Sequence, residues 1–276
     1  YVLISIACTL GYYWAGMTWL DAIMHMFTTM GLGGFSSHDA SFGFFDSPAI
    51  EAVSVAFMLI AGCNFATHFL VVSQRSFRPY AADPEAGWFL LVTVGSVIGI
   101  AVFLDVHEVY PTFLEALRYS AFNVVSIATT TGFANTDYAL WPFFAPLWML
   151  FLCSFATSAG STGGGIKMIR AIVLYKQVYR ELARAMHPNA VHPIKIGNSV
   201  VPPNILFAVL AFGFIYMVCI VSMTLLLSFS GLEIITAVTA VVASINNTGP
   251  GLGEVGPANN FAGLTDFQTW VCTIAM

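Results

Sequence analysis

Residues 126–133 read Ser-Ile-Ala-Thr-Thr-Thr-Gly-Phe, a run of hydroxyl side chains that ends in a Gly-Phe pair. The residues in front, Phe122–Ala128, are mostly apolar, and the residues behind, Ala134–Tyr138, are polar. Exposed backbone is not tolerated in hydrocarbon unless it is buried in protein or lines a water-filled path. The stretch therefore predicts a polar path through an otherwise apolar protein.

The composition is that of a membrane protein. The chain has 276 residues, of which 58% are hydrophobic and 8% are charged, whereas soluble domains carry roughly 25% charged residues. Several apolar runs of about 20 residues are long enough to cross a bilayer. We predict an all-α polytopic membrane protein in contact with lipid. A nucleic-acid partner is not expected, because the chain has only nine Lys and Arg residues. The chain opens on apolar Tyr1–Trp14 and stops inside apolar Asp266–Met276, so we interpret it as an internal fragment of a longer protein.

One order of segments occurs three times: a long helix, a short apolar segment, a glycine loop and another long helix. The short segments are Trp19–Met30, Pro111–Ala128 and Leu232–Ile245, followed at matching places by Gly33, Gly132 and Gly249. Long helices are expected at Ala49–Ser73 and Pro142–Ala159, among others. The repetition predicts helix–pore-loop–helix units around a central pore, at residues 1–73, 85–186 and 202–276.

Charges are distributed unevenly between the two ends of these units. Of the nine basic residues, all but Arg118 fall in or beside the connections between units. Basic loops stay on the cytoplasmic side of a membrane, so the pore loops are expected to open outward. Each short segment also carries an acid near its start, Asp21, Glu115 or Glu233, which suits the positive end of a helix.

The glycine loops have the composition of an ion filter. A dehydrated cation needs a ring of oxygens, and glycine permits the backbone angles that turn successive carbonyl groups inward. We predict a cation site in three filter loops, formed mainly by main-chain carbonyl groups. Its residues are Met30, Gly31, Leu32 and Gly33 in the first loop, Thr129, Thr130, Thr131 and Gly132 in the second, and Asn246, Asn247, Thr248 and Gly249 in the third. His25 and Asn123, on the short segments, are candidates to brace this filter.

A second glycine-rich stretch interrupts a long helix. Residues 160–165 read Gly160, Ser161, Thr162, Gly163, Gly164 and Gly165, and Lys167 and Arg170 follow. Glycine costs about 1 kcal/mol per position in a helix relative to alanine, so this stretch should break the helix below the filter. A flexible polar segment at that depth is a candidate gate. A nucleotide-binding loop is excluded, because the Gly-Lys-Ser/Thr that would have to follow is absent.

Four motifs resemble the Trk/Ktr/HKT superfamily of potassium transporters, most closely its TrkH pore subunits. They are Gly33–Asp39, Ser126–Phe133, Ala159–Arg170 and Ile245–Gly253. The resemblance implies four pore units around one pore, of which this chain holds the second, third and a truncated fourth, with one glycine of each loop in the filter. It also implies K⁺ as the permeating ion without an organic cofactor, an intramembrane gating loop, a bacterial inner-membrane location, a homodimer and a cytosolic nucleotide-binding regulatory subunit of the TrkA type.

Three alternatives to a potassium pore each require a different feature of the sequence. An inverted-repeat secondary transporter of a small solute would open its loops to both faces, which the basic residues argue against. A sodium-permeable member of the same superfamily stays open, because in that superfamily a serine in place of the filter glycine of the first of the four pore units goes with sodium permeation. The resemblance implies that this chain holds only the second, third and fourth units. An intramembrane hydrolase needs a nucleophile with a base, or a metal cluster, and the sequence shows neither, so we predict no enzyme.

Overall fold

The computed structural model describes residues 1–187, 192–197 and 199–276, and helices dominate them. The helices are α1 (Val2–Trp14), α2 (Trp19–Gly31), α3 (Pro48–Gly62), α4 (Phe65–Gln74), α5 (Arg78–Ala82), α6 (Ala86–Val106), α7 (Phe113–Ala128), α8 (Phe144–Cys153), α9 (Met168–Met186), α10 (Pro203–Phe229), α11 (Ile234–Ile245) and α12 (Asp266–Ala275). Strands β1 (Lys195–Ile196) and β2 (Ser199–Val200) pair antiparallel between α9 and α10. The predicted all-α architecture is confirmed.

The core is centred on α7. Thr112 caps its start by accepting the N–H of Glu115, and every residue from Phe122 to Ala128 is buried. Helix α7 packs against α3, α6 and α8, while α2 packs against α1 and α3, and α11 against α10 and α12. The three short helices therefore sit inside the molecule beside longer neighbours, which agrees with the predicted order of segments.

In the part of the chain that the structure describes, two helices, α6 and α10, are long and apolar enough to cross a membrane. The pair α3 and α4 makes a third candidate span if its two bent halves are counted together.

The helix expected over Ala49–Ser73 is broken, and this part of the prediction is wrong. Helix α3 ends at Gly62, and α4 leaves it at an angle of 94°. The Asn64 side chain caps α4 by accepting the N–H of Ala66 at 2.9 Å. His68 Nε2 bonds to the carbonyl oxygen of Ile60 at 2.8 Å, so side chains replace the helical bonds lost at the bend.

The helix expected over Pro142–Ala159 also ends early, because α8 stops at Cys153 and α9 starts only at Met168. The chain between them turns back on itself: Ile166 N–H donates to Ser154 O at 2.6 Å, and Met168 N–H donates to Thr157 O at 2.8 Å. The irregular segment, residues 154–167, is thus longer than the glycine stretch alone predicts. It is called the inner loop below.

Candidate functional site: three filter loops above one inner loop

The three short helices end in one backbone pattern. In α7, Thr130 N–H donates to Ile127 O at 3.0 Å and Thr131 N–H donates to Ser126 O at 2.8 Å. The same pair of bonds runs from Leu32 to Thr29 (3.3 Å) and Gly33 to Thr28 (2.8 Å) after α2, and from Asn247 to Ser244 (3.0 Å) and Thr248 to Ala243 (2.8 Å) after α11. This pairing closes a helix through one left-handed residue. Here that residue is Leu32, Thr130 or Asn247, with φ of 50°, 62° and 53°.

The backbone pattern shifts the first loop by one residue relative to the sequence prediction. Gly33 takes the place of Thr131 and Thr248, so the residue that corresponds to Gly132 and Gly249 is Gly34. The three corresponding glycines have φ of 67°, 89° and 95°, in the region that favours glycine. The matching of Gly33 with the other two glycines was therefore wrong. Two adjacent glycines left the register ambiguous, and only the backbone bonds resolve it.

Neighbouring filter loops touch through these glycines. A Cβ atom at Gly34 would fall on the carbonyl oxygen of Thr131, and one at Gly132 would fall on the carbonyl oxygen of Thr248. Among the described residues, nothing lies within 4 Å of a Cβ position at Gly249. The loops therefore form an arc in chain order, in which two glycines permit both the positive φ and the approach of the next loop.

The hydroxyl groups of the second loop are occupied within the protein. Thr129 and Thr131 bond to each other at 2.7 Å through their Oγ1 atoms, and Ser126 Oγ donates to Phe133 O at 2.7 Å. The Thr130 hydroxyl accepts a bond from the inner loop, as described below. All three threonines are buried, so their side chains stabilise the loop.

His25 and Asn123 bond to the chain just beyond their filter loops, as predicted for bracing residues. Both are fully buried. His25 Nε2 bonds to Ser36 Oγ at 2.9 Å, and Asn123 Nδ2 donates to Asn135 Oδ1 at 2.6 Å. Each side chain thus ties a short helix to the segment that follows its loop.

Two tyrosines that the sequence reasoning missed hold the ends of short helices from neighbouring helices. Tyr12 of α1 bonds through its hydroxyl to Thr29 Oγ1 at 2.6 Å, and Tyr216 of α10 donates to Asn246 Oδ1 at 3.0 Å. A buried tyrosine hydroxyl usually finds a partner. The available signal was a tyrosine inside a long apolar helix, and the sequence does not say which polar group it meets.

The acids predicted at the helix starts lie where they were expected. Asp21 and Glu115 are in the first turns of α2 and α7, and Glu233 is the residue before α11. Asp21 also accepts bonds from the side chains of Thr18 and Ser37, both at 2.7 Å. Since the short helices end at the filter loops, their negative ends are directed at the arc, which favours a cation there.

The inner loop bonds to two of the three filter loops. Thr162 Oγ1 donates to the carbonyl oxygen of Met30 at 2.9 Å. Gly164 N–H donates to Thr130 Oγ1 at 2.8 Å. Thr130 is β-branched with a left-handed backbone, which is an outlier for such a residue, and its hydroxyl receives this bond.

The glycines of the inner loop allow it to approach the filter closely. A Cβ atom at Gly163 would come within 2.9 Å of the Thr129 carbonyl oxygen, and one at Gly164 would fall on the carbonyl oxygen of Asn246. With the Thr162 bond to Met30, the inner loop therefore contacts all three filter loops. Gly160 and Gly165 contact other neighbours, the Asn64 side chain and the Ser154 carbonyl oxygen respectively.

The two basic residues of the predicted gate have different partners. Lys167 Nζ donates to the Gly163 carbonyl oxygen and lies 3.3 Å from Ser161 Oγ. Arg170 donates to the carbonyl oxygen of Ile166 at 3.1 Å and lies over the ring of Phe212. Lys167 is thus part of the inner loop, whereas Arg170 holds its end against α10.

Short helices that direct their carboxyl ends at touching glycine loops, with one irregular loop packed beneath, define a class of cation-transporting membrane proteins. The profile of the TrkH family, described as cation transport protein, matches residues 1–276. The chain belongs to this family. The family is one of transport proteins, which confirms the prediction that the chain is not an enzyme.

Several proteins are similar to the chain. The Trk system potassium uptake protein TrkH of Salmonella typhimurium is 45% identical over 98% of this chain and 56% of its own length. The protein TrkG of Escherichia coli is 34% identical over 100% of this chain and 56% of its own length. The crystal structure of the potassium transporter TrkH from Vibrio parahaemolyticus superimposes with a TM-score of 0.95 at 42% identity, over 100% of this chain and 59% of that one. The chain spans little more than half the length of the relatives it matches.

Proposed function

We propose that this chain forms the greater part of a potassium uptake pore. The observation that carries the proposal is the arc of filter loops, in which two glycines contact the carbonyl oxygen of the next loop. The relatives are named Trk system potassium uptake proteins, which supports potassium as the ion. A sodium-permeable pore with the same loops is the alternative outcome of the test below.

In this proposal the filter residues are those predicted from the sequence, with Gly34 added to the first loop. The occupied threonine hydroxyl groups of the second loop support main-chain carbonyl groups as the ligands that replace the water of the ion. The helix ends behind the loops add a favourable negative potential. Residues 1–73, 85–186 and 202–276 are the second, third and fourth of four pore units.

The inner loop is the proposed gate. It contacts all three filter loops from one side, so an ion that leaves the filter on that side meets a peptide segment. Lys167 adds a positive charge beside Gly163, which opposes the passage of a cation. Conduction then requires the loop to move away from Met30 and Thr130.

The chain also has a proposed orientation in the membrane and proposed partner subunits. The pore loops face outward and the basic connections face the cytoplasm of a bacterial inner membrane, supported by the position of all but one of the basic residues. Assembly as a homodimer with a cytosolic nucleotide-binding regulatory subunit of the TrkA type is proposed on family membership.

Replacing Gly132 by serine tests the filter. The positive φ of 89° and the neighbouring Thr248 carbonyl oxygen leave no room for a side chain, so the variant should lose its preference for K⁺ over Na⁺ by about tenfold or more, which corresponds to about 1.4 kcal/mol. The measurement is competitive ion flux in proteoliposomes that contain the full-length protein. An unchanged preference would contradict the filter assignment, and a wild-type protein that carries Na⁺ equally well would favour the sodium-permeable alternative.

A further inference from the structure

Glu85 is a buried acid outside the filter. It lies between α5 and α6, and 6% of its surface is exposed. Its Oε2 atom accepts the N–H of Ala159 at 2.7 Å and the N–H of Ile169 at 3.2 Å. A single carboxylate oxygen thus bonds to two main-chain amides that are ten residues apart in sequence.

The two amides lie on opposite sides of the glycine stretch. Ala159 immediately precedes Gly160, and Ile169 is in the first turn of α9. Hydrogen bonds to an ionised acceptor are roughly twice as strong as those between neutral groups, and a helix N-terminus stabilises a carboxylate. These two bonds, called the Glu85 bridge, therefore join the ends of the part of the inner loop that contacts the filter.

Glu85 is itself held in place by bonds that reach α4, the second helix of the bent pair. Its N–H donates to Asp83 Oδ1 at 2.9 Å, and the other oxygen of Asp83 accepts the hydroxyl of Thr67 in α4 at 2.7 Å. Helix α4 also contacts the loop directly, since Phe65 N–H donates to Gly160 O at 3.1 Å. A displacement of α4 or of the α5–α6 connection would therefore reach the loop through Glu85.

Lys167 lies two residues before Ile169, but its Nζ bonds to Gly163 and Ser161 and not to Glu85. Among the residues that the structure describes, no basic group lies within salt-bridge distance of the Glu85 carboxylate. Its bonded partners in this region are the two amides, so its removal would release both ends of the loop together.

We propose that Glu85 is a positioning residue that holds the inner loop against the filter, and that the loop withdraws when the Glu85 bridge is broken. The inference rests on the gating role proposed for the inner loop. For the glycine stretch to move away from Thr130 and Met30, Ala159 and the N-terminus of α9 must move apart. The Glu85 bridge opposes that movement.

The test is basal Rb⁺ flux through the full-length protein in proteoliposomes without a regulatory subunit. Glu85→Gln removes the charge but keeps the shape, and it should raise flux about fivefold, the change that corresponds to the loss of about one net hydrogen bond. Glu181→Gln, an exposed acid on α9, is the matched control and should leave flux unchanged. The Glu85 substitution should also speed the reaction of a cysteine placed at Ser161 with a soluble thiol reagent, which a purely structural role would not do.

The same substitution in a protein with a shortened inner loop separates the role of Glu85 from that of the proposed gate. In a protein that lacks residues 161–164, Glu85→Gln should add nothing to flux. If the deletion alone leaves flux unchanged, the gate fails and the Glu85 bridge fails with it. If the deletion raises flux while Glu85→Gln in the intact chain does not, the bridge alone is overturned. The same holds if Glu85→Gln raises flux equally in the intact chain and in the chain without residues 161–164. Should Glu85→Gln not yield folded protein, Glu85→Asp carries the same test, because its shorter side chain keeps the charge and cannot reach both amides.

Discussion

The filter loops and the inner loop are both irregular backbone segments that contain glycine, but they are held in different ways. Each filter loop follows a short helix and is closed by bonds to residues three to five positions earlier in the chain. The inner loop is held by groups far away in sequence: Met30, Thr130 and Glu85. The filter is thus a local structure that is repeated, whereas the inner loop depends on its neighbours. Changes in the filter should alter which ion passes, and changes around the inner loop should alter how often ions pass.

The largest effect is expected from Gly34→Ala, with Gly33→Ala as the matched control. Gly34 has φ of 67° and faces the Thr131 carbonyl oxygen, whereas a Cβ atom at Gly33 would meet only the ring of Phe35, at 3.6 Å. A left-handed backbone costs a non-glycine residue about 1–2 kcal/mol, so the Gly34 variant should lose K⁺ preference by about tenfold or more. Competitive flux of K⁺ and Na⁺ measures it. An equal loss of K⁺ preference in both variants, or a larger loss in the Gly33 variant, would contradict the assignment of Gly34 as the residue that corresponds to Gly132 and Gly249.

Deletion of residues 161–164 should raise basal flux about tenfold, since it removes both hydrogen bonds to the filter loops, which contribute about 0.5–1 kcal/mol each. Rb⁺ flux without a regulatory subunit measures this change. The preference for K⁺ over Na⁺ should stay at its wild-type value, because the filter loops are untouched. A deletion that altered the preference and left total flux constant would remove the distinction between the two regions.

The smallest effect is expected from Thr162→Val, which removes the bond to the Met30 carbonyl oxygen. One such bond contributes about 1 kcal/mol, so basal flux should rise by about fivefold or less. Thr9→Val removes a hydroxyl bonded within α1 and serves as the control for the same change of side chain. If the two variants behave alike in the flux assay, the Thr162 bond does not hold the inner loop.

The sequence was sufficient for the local structures. Apolar length and the glycines that follow the short segments predicted α2, α7 and α11 to within about two residues. The same information predicted the filter loops, because a loop closed by its own helix needs no distant partner. The register of the first loop was missed, since Gly33-Gly34 offers two candidates and the left-handed residue is Leu32 rather than a glycine.

The parts that the sequence did not predict depend on distant contacts. The bend after Gly62 follows no proline and no glycine cluster, and its bonds come from His68 and from the inner loop, where Ser158 N–H donates to Gly62 O at 3.0 Å. The early end of α8 likewise depends on Ile166 turning back to Ser154. Glu85 stands next to a proline in a connection of mixed polarity, and nothing in that stretch indicates bonds to residues 159 and 169. Contacts between residues that are distant in sequence decide these features.

The residues that follow the filter glycines show what a pore built from one chain allows. Phe35 is largely exposed and Phe133 is fully buried, and at the third position Pro250 lies 3.0 Å from a Cβ position at Gly132. In a ring of identical subunits, one gene change would alter every position at once and would have to suit them all. Here each position has its own codon, so each loop is free to adapt to its own surroundings while the backbone pattern stays common. In the proposed pore an ion would meet a nearly symmetric main chain, while evolution acts on an asymmetric set of side chains.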